Sequence, residues 1–304
     1  MVLPNATRSP HIEPSAVLDV LGYRDVSLPE PVRGGWDTLL WRFATPDGAQ
    51  HSLRVYDLAR LRPIAWRERV ALECCAAAGL PGPRVEAAAE FDGLPAMVLS
   101  WCPGETLLSF AERRPWAIWR LGRLFGATQA RIHRVTPPAE LAAGAPDEWI
   151  ARLDERYSGL ADDVRALRPS TVSLIHMDFH PLNVISDGSA VTGVIDWSGA
   201  AAGDPRADLA RTAVTLAAAP VPPGPLAPLL NQARRLMLSA WRSGYREEAG
   251  ALPDYRPFMA WAGATLLAEI ELVVDRAEVW GTPDDVRRLA GLIDAWAGSA
   301  PARV

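Results

Sequence analysis

Asp178, Asn183 and Asp196 are the residues whose types and spacing could do chemistry together. The apolar run Leu174-Ile175 leads into His176 and Asp178, and Asn183 closes the loop five positions after Asp178. A second apolar run, Val191 to Ile195, then delivers Asp196 and Trp197. This reads as strand, polar loop, strand, with carboxylates at two neighbouring strand ends. The three side chains can therefore converge on one small volume. Two carboxylates and an amide oxygen are the ligands that a hard cation such as magnesium prefers. Carboxylates held that close would repel strongly in a low-dielectric cleft, so a bound cation is the natural counter-charge. Each residue also has a plainer reading: Asp178 as a solvated loop aspartate, Asn183 as a turn residue bonding its own backbone, and Asp196 as a helix N-cap.

Stepping outward, the elements that must position this loop fall into two groups. Residues 15–21 predict a short helix. Strands are expected over Ser27 to Val32, Thr38 to Ala44 and His51 to Tyr56, with a turn at Pro46-Asp47-Gly48 where proline presets one dihedral and glycine permits the positive one. A helix follows over Ile64 to Ala78, ended by Gly79 and Pro81. Arg84 to Glu90 and Ala96 to Trp101 read as two more strands, and Cys102-Pro103-Gly104 breaks the pattern as a hinge. Beyond it the chain is mostly helical. Helices are predicted over Leu107 to Glu112, Trp116 to Arg134, Asp147 to Tyr157, Asp162 to Leu167, Ala207 to Leu216, Leu229 to Ser243, Tyr255 to Ala277 and Thr282 to Trp296. The expectation is an α+β chain in two lobes, 1–101 and 102–304, the second carrying one hairpin-like insert.

Composition narrows the function. The 304 residues suffice for two modest lobes, and a net charge of −5 argues against a broad basic face for nucleic acid. No apolar run approaches the roughly 20 residues of a membrane span. Met1 to Pro14 lacks a signal-peptide pattern, and Cys74, Cys75 and Cys102 do not form a disulfide framework; both point to the cytoplasm. All 31 basic residues other than histidine are arginine. Chemistry that needs a lysine amine, whether on phosphate or as a Schiff base, is excluded.

Taken together, His176-x-Asp178-x4-Asn183, Asp196-Trp197 and Gly203-Asp204-Pro205-x2-Asp208-Leu209-Ala210 resemble the phosphotransferases of the aminoglycoside/choline kinase type. That resemblance covers nearly the whole chain and implies a two-lobed, protein-kinase-like fold. It implies a nucleotide loop at Gly34-Gly35, the small-lobe helix glutamate at Glu68, and an interlobe hinge with nucleotide recognition around Ser100 to Cys102. It further implies that Asp178 orients the acceptor hydroxyl and takes its proton, while Asn183 and Asp196 hold magnesium on the phosphates of ATP or GTP. The expected activity is transfer of the γ-phosphate to a hydroxyl of a small molecule such as an aminoglycoside, another antibiotic, an amino-alcohol or a sugar.

One position departs from the pattern. Arg54 stands where the family usually has lysine, and arginine is longer and forked, suited to phosphate but not interchangeable with lysine. This opens an alternative, a nucleotide-binding pseudokinase with a regulatory role. His176 reads as a structural hydrogen-bonder rather than a general base. Asp204 reads equally as a brace for the loop or a helix cap. Trp241, Trp261, Trp280 and Trp296 are expected mainly in the core. Glu271, Asp275 and Glu278 share a helix face that either is solvated or offers charge to a cationic acceptor.

Overall fold

The computed structural model describes residues 12–32, 38–142, 147–150, 153, 155–167, 171–221, 224–271 and 283–298. Helix α1 (Pro14–Val20) opens the chain, followed by strands β1 (Glu30–Pro31), β2 (Thr38–Ala44) and β3 (Gln50–Tyr56), helix α2 (Arg62–Ala77), and strands β4 (Val85–Phe91) and β5 (Leu94–Ser100). The strands form one antiparallel sheet in the order β1-β2-β3-β5-β4. Period-two alternation divides its faces. Leu53, Val55, Ala96 and Val98 point to α1, where they bury Val17 and Leu18. Tyr56, Met97 and Leu99 point to the opposite face, with Ala71, Leu72 and Cys75 of α2. Arg54, in phase with Tyr56, faces the α2 side as well. The strand expected over Ser27 to Val32 is cut to two residues because Pro29 and Pro31 have no N–H to give a ladder.

The rest of the chain runs β6 (Glu105–Thr106), α3 (Leu107–Arg113), α4 (Ile118–Ile132), α5 (Ala139–Ala142), α6 (Asp147–Ile150), α7 (Ser158–Ala166), β7 (Ser173–Ile175), β8 (Val184–Ser186), β9 (Val191–Val194), β10 (Ala201–Gly203), α8 (Pro205–Ala218), α9 (Ala227–Ala249), α10 (Met259–Glu271) and α11 (Pro283–Gly298). Helices α4 and α9 cross at Gly126 and Gly244; a side chain at either would collide with the backbone of the other helix, at Trp241 and Arg123. The helix expected over 147–157 is instead α6 followed by a separate 3₁₀ turn at Glu155–Tyr157, with Leu153 not helical between them. Among the described residues no helix is long and apolar enough to cross a membrane.

The strand pairing around the loop corrects the sequence reading. β7, which delivers His176 and Asp178, pairs with β10, while β9, which delivers Asp196, pairs with β8. The two carboxylates therefore do not stand on neighbouring strands. A side-chain contact joins the two pairs instead: His176 Nε2, just past β7, donates to Ile195 O, just past β9, at 3.0 Å, while Ile195 N extends the β8/β9 ladder to Asn183 O at 2.9 Å. A three-residue strand carries too little pattern to choose its partner.

Candidate active site

Asp178 follows a backbone kink. Met177 has a φ of 67°, left-handed for a non-glycine residue, and this turns the chain out of β7. The Asp178 side chain is 41% exposed and carries two donors on one oxygen. His180 Nε2 lies 3.3 Å from Oδ2 and Asn183 Nδ2 lies 3.1 Å from it. Asn183 Nδ2 also donates to Asp178 O at 2.9 Å. Both Asn183 amide hydrogens are thereby used, so its 3.2 Å approach to His180 Nε2 is packing and not a third bond. Burial weighs against the Asp178 charge, but the hydrogen bond from His180 and the charge of Arg211 outweigh it and hold the carboxyl well below the usual range.

His176 is fully buried and its two nitrogens are committed. Nε2 donates to Ile195 O, so Nδ1 is the acceptor for Asp178 N–H at 3.3 Å. Burial lowers its pKa, against the pull of Asp208 and Asp178, which fits a neutral ring in that tautomer. With no free lone pair it cannot serve as a base. The expected structural role is what the geometry describes. His180, by contrast, stands against Asp178 itself.

Asp196 arrives on the other pair of strands, with φ 61° and no capping bond to the 3₁₀ turn that follows it. The N-cap reading is thereby set aside. Its Oδ1 instead accepts from Arg54 Nη2 at 3.1 Å. Arg54 Nη1 reaches Glu68 Oε1 at 2.5 Å, and Tyr56 OH donates to the other Glu68 oxygen. Glu68 is 1% exposed. Burial raises its pKa while Arg54 pulls the other way. Burial also opposes the Arg54 charge, but Glu68 and Asp196 more than restore it. Arg54 thus makes the glutamate pair that a lysine would make, and its second arm extends to Asp196.

The remaining sequence-predicted residues are placed as follows. Gly34 and Gly35 lie outside the described residues. Ser100 spends its N–H on Arg84 O and its hydroxyl on Arg84 N–H, and Trp101 N–H goes to Gln50 O. These donors serve the sheet, and Cys102 is the position beyond it. The Cys102 side chain packs where any side chain on Gly193 of β9 would sit. Asp204 caps α8, accepting from Arg206 N at 2.9 Å. Asp208 is the brace: its Oδ1 accepts from Met177 N at 2.6 Å, and its Oδ2 takes Gln129 Nε2 and His133 Nε2, each at 2.9 Å. Trp241 and Trp261 are core residues, 0% and 1% exposed, and Trp296 packs on the core. Glu271 is taken by Arg156, while Trp280, Asp275 and Glu278 lie outside the described residues.

Sequence reading missed Arg211, Thr212, Gln129 and Tyr56. A signal was available for two of them: Asp208, Arg211 and Thr212 stand at i, i+3 and i+4, one helix face. Among the described residues no cluster of three or more His, Cys, Asp or Glu side chains could cage a metal. The two residues the sequence offers to a cation, Asn183 and Asp196, bring one amide oxygen and one carboxylate, the hard-oxygen donor types of magnesium chemistry.

The comparisons agree with this architecture. Residues 29–260 match the model of the phosphotransferase enzyme family. Among solved structures, a thermostable mutant of aminoglycoside phosphotransferase APH(4)-Ia, in ternary complex with ADP and hygromycin B, is similar at 20% identity and a TM-score of 0.63, over 95% of this chain and 99% of that one. The amicoumacin kinase hAmiN, in complex with AMP-PNP, Ca2+ and Ami, is similar at 13% identity and a TM-score of 0.66, over 96% and 95%. An ethanolamine kinase of Plasmodium vivax is similar at 11% identity and a TM-score of 0.56, over 88% and 82%. None of the curated proteins matches the chain. At these identities the structures speak for the fold, and the family match speaks for descent: the chain belongs to the phosphotransferase enzyme family and has a protein-kinase-like fold.

Proposed function

We propose that this small-molecule kinase moves the γ-phosphoryl group of ATP or GTP to a hydroxyl of a small molecule, in a cleft between a nucleotide-binding lobe, 1–101, and an acceptor-binding lobe, 102–304. The observation that carries the reading is the grouping around the loop. Asp178 and Asn183 are bonded to each other, and Asp196 is tied to Arg54 and through it to Glu68. Asn183 and Asp196 would hold magnesium, which when bound neutralises charge on the phosphates. Phosphoryl transfer passes through a loose transition state, so the protein's part is to position and to stabilise charge. His180 and Asn183 both load Oδ2 of Asp178, which leaves Oδ1 for the incoming hydroxyl. A carboxylate held this far below its usual pKa is ionised throughout the neutral range. It orients the hydroxyl from the start and accepts its proton only as the phosphoryl group arrives. Arg54, always charged, stands on the small-lobe side, where its planar fork suits phosphate oxygens.

The acceptor class rests on likeness alone. The aminoglycoside phosphotransferase neighbour carries hygromycin B and the ethanolamine kinase is named for an amino-alcohol. An antibiotic hydroxyl or an amino-alcohol is accordingly the first acceptor to try. The test is nucleoside diphosphate release with magnesium over a panel of aminoglycosides, macrolides, amino-alcohols and sugars. Asp178→Ala and Asp196→Ala are expected to lower turnover about 1,000-fold or more. Release that persists unchanged in both variants would sink the reading.

A further inference from the structure

The face of α8 below the catalytic loop holds three residues at i, i+3 and i+4, and each ends on a backbone group beside Asp178. Asp208 takes Met177 N–H at 2.6 Å, Arg211 Nε donates to Met177 O at 3.0 Å, and Thr212 Oγ1 donates to Phe179 O at 2.9 Å. Met177 is the left-handed residue that aims Asp178, and such a conformation persists only where the surroundings over-determine it. Asp208 fixes one end of that residue and Arg211 fixes the other. Arg211 is 5% exposed, and its Nη2 is gripped by both oxygens of Glu269 on α10, at 3.0 and 2.8 Å. Nη1 is buried without a partner, a cost that only strong bonds at the other two nitrogens offset. Glu269 is 45% exposed, so the far end of this chain of bonds reaches the surface of the large lobe.

We infer that Arg211 is a positioning residue for Asp178, holding the left-handed Met177 peptide in register, and that Glu269 on α10 sets where the Arg211 guanidinium sits. This rests on the kinase reading above. Arg211 touches no reacting atom. It acts by tying the loop to α10 as well as α8, Nε on Met177 O and Nη2 on Glu269, and the bond to Met177 O is the one that holds the loop. Misplacement of a catalytic group by about 1 Å costs on the order of 100-fold in rate. Loss of Arg211 therefore acts on turnover and not on nucleotide binding.

The experiment uses the full chain with ATP or GTP and Mg2+, following basal nucleoside diphosphate release at varied nucleotide concentration. Arg211→Met is expected to lower kcat roughly 10- to 100-fold with nucleotide KM within about twofold. Arg211→Lys keeps a donor for Met177 O and is expected to recover most of that loss. Glu269→Gln, at an exposed site, is expected to fold and to lower kcat roughly threefold to tenfold. A kcat unchanged in the folded Arg211→Met protein overturns the inference, as does equal loss in the Met and Lys variants. Should Arg211→Met not fold, an unchanged kcat in Glu269→Gln overturns it. A second readout is independent of activity. The chain has five methionines, so the ¹³C-methyl signal of Met177 can be assigned by substitution. It should shift in Arg211→Met, or in Glu269→Gln, and return toward its original place in Arg211→Lys. A signal that stays put overturns the inference whether or not the chain turns nucleotide over. A shifting signal without Asp178-dependent turnover supports the positioning contact and counts against the kinase reading alone.

Discussion

Two buried carboxylates, Asp208 and Glu68, lie on either side of the loop that carries Asp178, and they are held in different ways. Asp208, below it, is 0% exposed and accepts from Met177 N, Gln129 Nε2 and His133 Nε2. Those partners are bonded onward, Gln129 to Trp241 and Thr212, His133 to Tyr245. Every member belongs to the large lobe. Glu68, above, is almost as buried, but its main partner Arg54 leads outward to Asp196, whose side chain is 30% exposed. The lower network is closed upon itself, whereas the upper one ends at the cleft. A closed network of satisfied groups fixes a shape. An ion pair with one arm at the cleft can exchange that arm for a phosphate without leaving a charge stranded. The fold thus keeps its closed network under the loop that carries Asp178, and on the small-lobe side a carboxylate whose arginine partner has an arm reaching outward to Asp196.

The contrast has measurable size. Asp208→Asn should be the most damaging of these changes. It turns an amide toward donors that need an acceptor, and about 3 kcal/mol or more of unfolding free energy should be lost in denaturant titration. Glu68→Gln should cost less, about 1–2 kcal/mol, because the amide keeps one acceptor oxygen and Arg54 retains Asp196. A Glu68→Gln loss equal to that of Asp208→Asn would break the comparison, since the upper cluster would then be as closed as the lower. The smallest effect is on pH. Burial lowers the folded pKa of His176, so below its unfolded value of about 6.5 the unfolded chain binds a proton that the folded one refuses. Its contribution is present above that value and lost as pH falls, by at most about 1.4 kcal/mol per pH unit until the folded pKa is reached. Stability that stays flat between pH 7 and 5 would mean that the folded chain protonates His176 as readily as the unfolded one.

What could be read from the sequence was what is close along it. Asp178 and Asn183 lie five residues apart and their bond is local. Thr38–Ala44 and the long helices announce themselves by composition and period, so β2 to β5 and α2 fall within two residues of expectation, while β1 is cut short by its prolines. The pairing of β7 with β10 was not legible, because three-residue strands have no register to display. Nor were the bonds from Arg211 to Glu269 and from Trp241 to Gln129, whose members stand 58 and 112 residues apart. Arg54 was visible as an odd residue in its motif. Its arm to Asp196 was not, because that arm depends on how far a guanidinium reaches across a cleft that only the folded chain has.

The backbone crossing at Gly126 and Gly244 has a further consequence. With no side chains between them, α4 and α9 can separate only as a whole, and the network on Asp208 fastens α8 and the loop to the same block. Asp178 thus belongs to a unit that opens late, while Arg54 belongs to a small lobe that meets it through the core shared by α2 and through the ion pair at Asp196. Local opening should therefore begin on the α1 face of the small-lobe sheet, which packs apart from this core, and reach the α4–α9 block last. A ligand that bridges Arg54 and Asp196 would add its own hold to that junction by mass action, and saturation with nucleotide should raise the melting temperature.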